Sequence, residues 1–194
     1  MKENDIIHAN LNSYLKLSDA EFRHVYNSLT FKQFNKGENL HQAGNICDSA
    51  FFIIKGSIRY FNLVDGEEIT GQFFFEGAWY SDYESFLLNK PSEQTIQTME
   101  QTKAALLSKK ALNQLYDEIP RFEKFGRLMA ENAFMGLRKR TESLTHQSAM
   151  DRYVALCTER PKVIQRVAQK YIASYLDIKP QSLSRIRSQL LKSN

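Results

Sequence analysis

Twice along its 194 residues the chain changes the period of its hydrophobic pattern, and the two changes leave few folds open. Residues 1–30 read as helix: Leu11, Leu15, Phe22, Val25 and Leu29 recur near helical spacing. Ser18 with Glu21 three positions on forms an N-cap signature. From about 31 to 108 the apolar residues fall into short β-type segments: Phe31, Phe34, Leu40, the run Ala50–Ile54, Ile58, Tyr60, Ile69, Phe73–Phe75 and Ala104–Leu107. Gly37, Gly44, Gly56, Asp65-Gly66 and Gly77 punctuate them, which predicts a small sandwich or barrel. Beyond Pro120 the helical period returns. No Gly or Pro interrupts it before Pro161 except Gly126 and Gly136.

In that stretch Phe122, Phe125, Met129, Asn132, Met135 or Gly136, and Lys139 follow a three-four spacing, a helix of roughly seven turns. Large residues alternating with Gly126 and Gly136 would admit a second helix closely, so homodimerisation through this helix is expected. The alternative is that the seam packs on its own β-domain. Further helices are expected at about 149–158, 165–176 and 180–191, with a hinge near Thr145–Ser148. The organisation is α+β, in three parts: a β-domain with flanking helices over 1–120, a long helix over 121–145, and a helical domain over 146–194.

Charge divides along the same line. The whole chain is +4, but residues 1–120 carry 11 Lys+Arg against 16 Asp+Glu and residues 121–194 carry 15 against 6. An acidic front and a basic back imply different partners, the back favouring a polyanion. With 42% apolar and 25% charged residues, a wholly disordered chain is excluded. No stretch approaches the roughly 18 apolar residues of a membrane span, and Met1–Asp5 open no signal core, so a soluble cytoplasmic chain without a membrane partner is expected. Cys47 and Cys157, 110 positions apart, match neither a disulfide framework nor a zinc or iron–sulfur spacing; two free thiols are the simpler reading.

The most specific pattern lies at Gln169–Leu190. Ala173 is small where two helices would cross, Asp177 stands at a turn that needs the left-handed region, and Pro180 suits a first helical turn. Ile172, Leu176, Ile178, Leu183, Ile186 and Leu190 form one apolar set. Lys179, Gln181, Ser182, Ser184, Arg185, Ser188 and Gln189 take the other face, with groups suited to phosphates and base edges. This is helix-turn-helix logic. Arg185 could donate twice to a guanine, and Gln181 could pair with an adenine.

With these residues, Phe51–Phe61 and Asp65–Glu68, the chain resembles the Crp/Fnr family of transcription regulators, related to the cyclic-AMP receptor protein. The resemblance implies an N-terminal cyclic-nucleotide-binding-like β-roll of jelly-roll type, a long dimerisation helix and a C-terminal helix-turn-helix. It further implies a homodimer bound to double-stranded DNA, with RNA polymerase as a further partner. Base-reading positions then fall on Pro180, Gln181 and Arg185, with Gln169, Lys170, Lys179, Ser182, Ser184 and Ser188 completing the DNA-binding set.

The match breaks at the ligand. The family's Gly-Glu-Leu, whose Glu holds the ribose, is here Ser81-Asp82-Tyr83, and the region of the phosphate-binding Arg reads Pro91-Ser92-Glu93-Gln94-Thr95, without a cation. Without that cation, beside Asp82 and Glu93, a phosphodiester would be repelled, so no cyclic-AMP response is expected. The adenine-contacting pair falls near Leu137-Arg138 and is also missing. The aromatic stretch Phe73–Phe75, Trp79, Tyr80, Tyr83 and Phe86 replaces a polar pocket; Arg59 faces either the roll interior or solvent. Candidate effector-pocket residues are Arg59, Trp79, Ser81, Asp82, Tyr83 and Thr95, with the effector open and no cofactor predicted. His8, His24, His41 and His146 follow no metal or haem pattern. Lys192–Asn194 stand where family members run on into a wing, so fewer phosphate contacts are expected. No nucleophile–base pair or metal cluster points to an enzyme. The rival reading is a ligand- or protein-binding β-roll whose helical tail docks a partner protein.

Overall fold

The computed structural model describes residues 3–192. Met1 and Lys2, and the Ser193-Asn194 end on which the wing expectation rests, lie outside the described residues. The first segment is two helices, α1 (Glu3–Tyr14) and α2 (Asp19–Asn27). Ser18 caps α2 reciprocally: its hydroxyl accepts from the Glu21 N–H, and the Glu21 carboxylate accepts from the Ser18 N–H at 2.7 Å. The Ser18 hydroxyl and N–H, with Arg121, hold the Glu21 carboxyl down at about 2.

Eight strands follow: β1 (Thr30–Phe34), β2 (Asn39–His41), β3 (Ser49–Lys55), β4 (Ser57–Val64), β5 (Glu67–Phe75), β6 (Trp79–Tyr80), β7 (Gln94–Thr98) and β8 (Thr102–Ser108). They form two four-stranded sheets, ordered β1-β8-β3-β6 and β2-β7-β4-β5. The non-consecutive neighbours are those of a rolled-up antiparallel chain. β3 pairs antiparallel with β8, Phe52 opposite Ala105, and with β6, Phe52 opposite Trp79. Asp65 and Gly66, at φ 52° and 82°, make the two-residue turn between β4 and β5 whose left-handed pair suits hairpin twist. Gly56 is needed sterically: at φ +97° any Cβ would lie 2.6 Å from the Gln101 carbonyl oxygen.

Alternation along β3 sends side chains to both faces of its sheet. Phe52 and Ile54, with Ala105 and Leu107 of β8, join Ile7, Leu11, Phe22 and Val25 of the first helices in one core. That core also takes Leu115 of α4 (Lys109–Glu118), Phe122 of the 3-10 turn Pro120–Phe122, and Phe125 of α5 (Glu123–His146). Trp79 packs against it and donates from its indole N–H to Asn10 at 2.8 Å, while the Asn10 amide donates to the Gly77 carbonyl.

The long helix forms as expected, with its faces assigned differently. Phe122 and Phe125 are buried and Met129 packs on the core, so the first half of the expected seam is consumed by the β-domain. The apolar residues left open are Phe134, Leu137 and Leu144, spaced three and seven apart, with Met135 beside them. Residues 165–176 are not one helix. After α6 (Ala149–Glu159) come α7 (Pro161–Arg166) and α8 (Gln169–Tyr175), separated by extended backbone at Val167 and Ala168, then α9 (Pro180–Lys192). Pro161 opens α7 in its first turn, and the extended step buries Val167.

Two compact units emerge. One is Met1–Arg59 with Phe74–Ala133; the other is Tyr60–Phe73 with Phe134–Asn194. The second unit thus includes the outer part of the β4–β5 hairpin with the C-terminal helices.

Candidate functional site

The C-terminal pair α8–α9 is built from local rules. Helix α8 ends in a Schellman motif: the Ile178 N–H donates to the Ala173 carbonyl and the Asp177 N–H to that of Ser174, both at 3.0 Å, with Asp177 at φ 54°. Ala173 is fully buried, beside Ile172, Leu176, Leu183 and Ile186. Pro180 opens α9, and the Lys179 carbonyl accepts from the N–H groups of Ser182 and Leu183. The opposite face is open: Gln169, Lys170, Lys179, Pro180, Gln181, Ser184, Arg185 and Ser188 are exposed, and Ser182 is half-buried. Ser188 returns its hydroxyl to the Ser184 carbonyl at 3.0 Å.

Three arginines absent from the sequence-derived set bind nearby backbone, two of them at the end of α8 and the third on β5. Arg140 of α5 donates to the Tyr175 carbonyl, its guanidinium 4.0 Å from the Tyr175 ring centre. Arg152 of α6 donates to the carbonyls of Leu176 (2.9 Å) and Gln147 (2.6 Å). Cations thus meet the free carbonyls of the helix C-terminus. Burial, with some repulsion from Arg152, lowers the pKa of Arg140. Arg160 donates to the Phe73 carbonyl at 2.6 Å and to the Gln72 side chain. The hairpin meets α8 directly: the Ser174 hydroxyl donates to the Glu68 carbonyl (2.8 Å) and accepts from the Thr70 N–H (2.9 Å). The Phe73 and Tyr175 rings lie 5.3 Å apart. Nothing in the local pattern marks these arginines, because the carbonyls of Tyr175, Leu176 and Phe73 that they meet lie far along the chain.

In the β-roll, the segment 81–95 folds around α3 (Tyr83–Leu88). Asp82 is buried and serves as its N-cap, accepting from the Glu84 N–H and, at 2.6 Å, from the Ser92 hydroxyl. The Ser85 hydroxyl donates to the Lys90 carbonyl and accepts from the Cys47 N–H, and Ser81 donates to the Ser49 carbonyl. Thr95 is buried and accepts from the Ala43 N–H. Burial raises the Cys47 thiol pKa and lowers that of His41, which Asp82 and Asp48 oppose. Arg59 is fully buried, donating to Gln97 at 2.8 Å, so it faces inward. Glu93, by contrast, is exposed, so the added carboxylate expected beside Asp82 is directed to solvent.

Of the six effector-pocket candidates, Trp79, Ser81 and Tyr83 line one cleft. Arg59, Asp82 and Thr95 do not line it. Among the described residues no three His, Cys, Asp or Glu stand together to hold a metal ion, and no helix is long and apolar enough to cross a membrane.

Residues 31–118 match the family model of the cyclic nucleotide-binding domain. The fold extends further. CLP, the c-di-GMP responsive global regulator of Xanthomonas campestris, superposes with TM-score 0.73 at 15% identity, over 91% of this chain and 93% of its own. A regulator of the crp/fnr family from Eubacterium rectale gives 0.71 at 16%, over 93% and 88%. The fold is Crp/Fnr-like. A mutant of CooA from Carboxydothermus hydrogenoformans adds 0.71 at 14%, over 95% and 84%. No curated protein matches the sequence. The residues that match that family model run from β1 to the end of α4, and within them Asp82 caps a helix with Ser92 as its partner.

Proposed function

We propose that the chain is a homodimeric, sequence-specific DNA-binding transcription regulator that does not respond to cyclic AMP. The observation that carries this is the α8–α9 pair, closed by a left-handed Asp177 and a buried Ala173, with Gln181, Ser184, Arg185 and Ser188 exposed along α9. The basic balance of residues 146–194, 9 Lys+Arg against 3 Asp+Glu, suits a polyanion. Gln169, Lys170, Lys179 and Ser182 approach phosphates, while Pro180, Gln181 and Arg185 reach base edges. In this reading residues 1–120 form a sensor-like roll, 121–145 serve dimerisation and 146–194 read DNA.

The second copy docks along α5. Phe134, Met135 and Leu137 are each more than half exposed on one helix, and large apolar side chains in a row favour a partner helix. A dimer presents two copies of α9 to half-sites about one helical turn, roughly 34 Å, apart. A shift of α5 passes to α8 through Arg140, whose bond to the Tyr175 carbonyl links the two. The double variant Phe134→Glu with Leu137→Glu is expected to sediment as a monomer and lose binding to an inverted-repeat duplex; a dimer unchanged by it would refute this seam.

Cyclic-AMP indifference rests on Asp82. Its carboxylate is occupied by the α3 cap and by Ser92, which stands in the region of the family's arginine. Titration calorimetry with cyclic AMP is expected to give no heat of binding. Micromolar affinity abolished by Asp82→Ala would overturn it.

A further inference from the structure

We infer that the cleft between the helix-covered face of the β3–β8–β6 sheet, α3, α4 and the first turns of α5 binds a small apolar monocarboxylic acid.

 This cleft measures about 310 Å³, and Asp82, Ser92 and Thr95 do not line it. Ser81 is the one member of the hydroxyl network of segment 81–95 that reaches its wall, and the Asp82–Ser92 pair lies outside it.

Its walls are aromatic and aliphatic, chiefly Trp79, Tyr83, Phe86, Leu112, Tyr116 and Phe125. A volume of this order suits a small ligand, and an apolar wall with a few convergent polar groups is the usual form of such sites. The polar groups on its wall include two phenols, those of Tyr83 and Tyr116, beside Tyr80, Ser81 and Asn113. Among the described residues neither the Tyr83 nor the Tyr116 hydroxyl has a hydrogen-bond partner. Burial pushes Tyr83 up to about 12, with a smaller contribution from Tyr116, and burial raises Tyr116 as well. Both phenols stay protonated and can donate. Gly126 makes room for one of them: a Cβ there would lie 1.9 Å from the Tyr116 hydroxyl oxygen.

Charge selects the kind of ligand. Lys109 and Arg127 line the cleft, and no Asp or Glu does. Arg127 is paired with Glu131, whereas Lys109 donates to the Leu87 carbonyl at 3.1 Å and keeps further N–H donors for an anion. One ammonium and two phenols suit a single carboxylate. A phosphate dianion would bring more charge than these groups can meet in an apolar cleft, and an amine would meet like charge.

The test needs no DNA, so it stands or falls apart from the regulator reading. Trp79 is the chain's one tryptophan and lines the cleft, so its emission reports occupancy. The full chain is titrated with octanoate, and in parallel with octylamine and octanol. Octanoate is expected to change the emission saturably and to bind about tenfold or more tightly than the other two. Lys109→Gln, and Tyr83→Phe with Tyr116→Phe, are each expected to weaken octanoate about tenfold while leaving the far-ultraviolet dichroism unchanged. No saturable change, equal binding of the three probes, or unaltered affinity in the folded variants would overturn the assignment.

Discussion

Phe122→Ala is expected to lower the unfolding free energy by about 3–5 kcal/mol. Phe122 is fully buried at the junction of the 3-10 turn and α5, with the Phe125 ring 5.2 Å away and the Tyr116 ring 6.3 Å away. It shares a core with Leu11 of α1, Val25 of α2 and Leu107 of β8, so truncation leaves a void that several elements would have to move to fill. Leu191→Ala is the contrast. That side chain is 81% exposed, and its loss is expected to stay within about 0.5 kcal/mol. Urea unfolding followed by Trp79 emission compares the two, because Trp79 packs against the same core. A loss under about 1 kcal/mol for Phe122→Ala would mean that the core closes around the gap.

Arg185→Ala is expected to weaken binding to a selected duplex by about 1–3 kcal/mol and to relax preference at one base position. The side chain is exposed on α9 while Leu183 and Ile186 beside it are buried, so the substitution leaves the helix pair packed. Lys179→Ala provides the comparison, since a phosphate contact weakens all duplexes alike and reduces the salt dependence. Equal loss on every sequence from Arg185→Ala would move that residue from base reading to the backbone.

Local chemistry was the legible part. Asp177 at its turn, Pro180 opening α9, Ala173 at the crossing and Ser18 with Glu21 at an N-cap all follow from rules acting over a few residues. The seam of α5 shows where such rules stop. Three-four spacing marks Phe122, Phe125 and Met129 as apolar-facing, but it does not say whether the facing surface is the same chain or another. The break at Val167 was hidden for a related reason: Val163, Val167, Ile172 and Leu176 keep nearly helical spacing across it, and all are buried.

The candidate site divides in the same way. The loss of the arginine and of Gly-Glu-Leu is visible in the residues themselves, whereas the Ser92 hydroxyl reaching Asp82 depends on the fold of the whole segment. Strand alternation left Arg59 open to either face, and only the packing of the roll places it inside. Arg140, Arg152 and Arg160 carry no sequence mark, since each finds backbone carbonyls brought near by tertiary structure.

Selection of random duplexes with the full chain, followed by mobility shifts on the enriched pool, tests the central claim most directly. The account predicts an inverted repeat with half-sites about one helical turn apart, bound by a dimer and weakened at one base position by Arg185→Ala. Failure to enrich any site, with binding indifferent to salt, would contradict it and leave a β-roll module whose helical tail docks a protein.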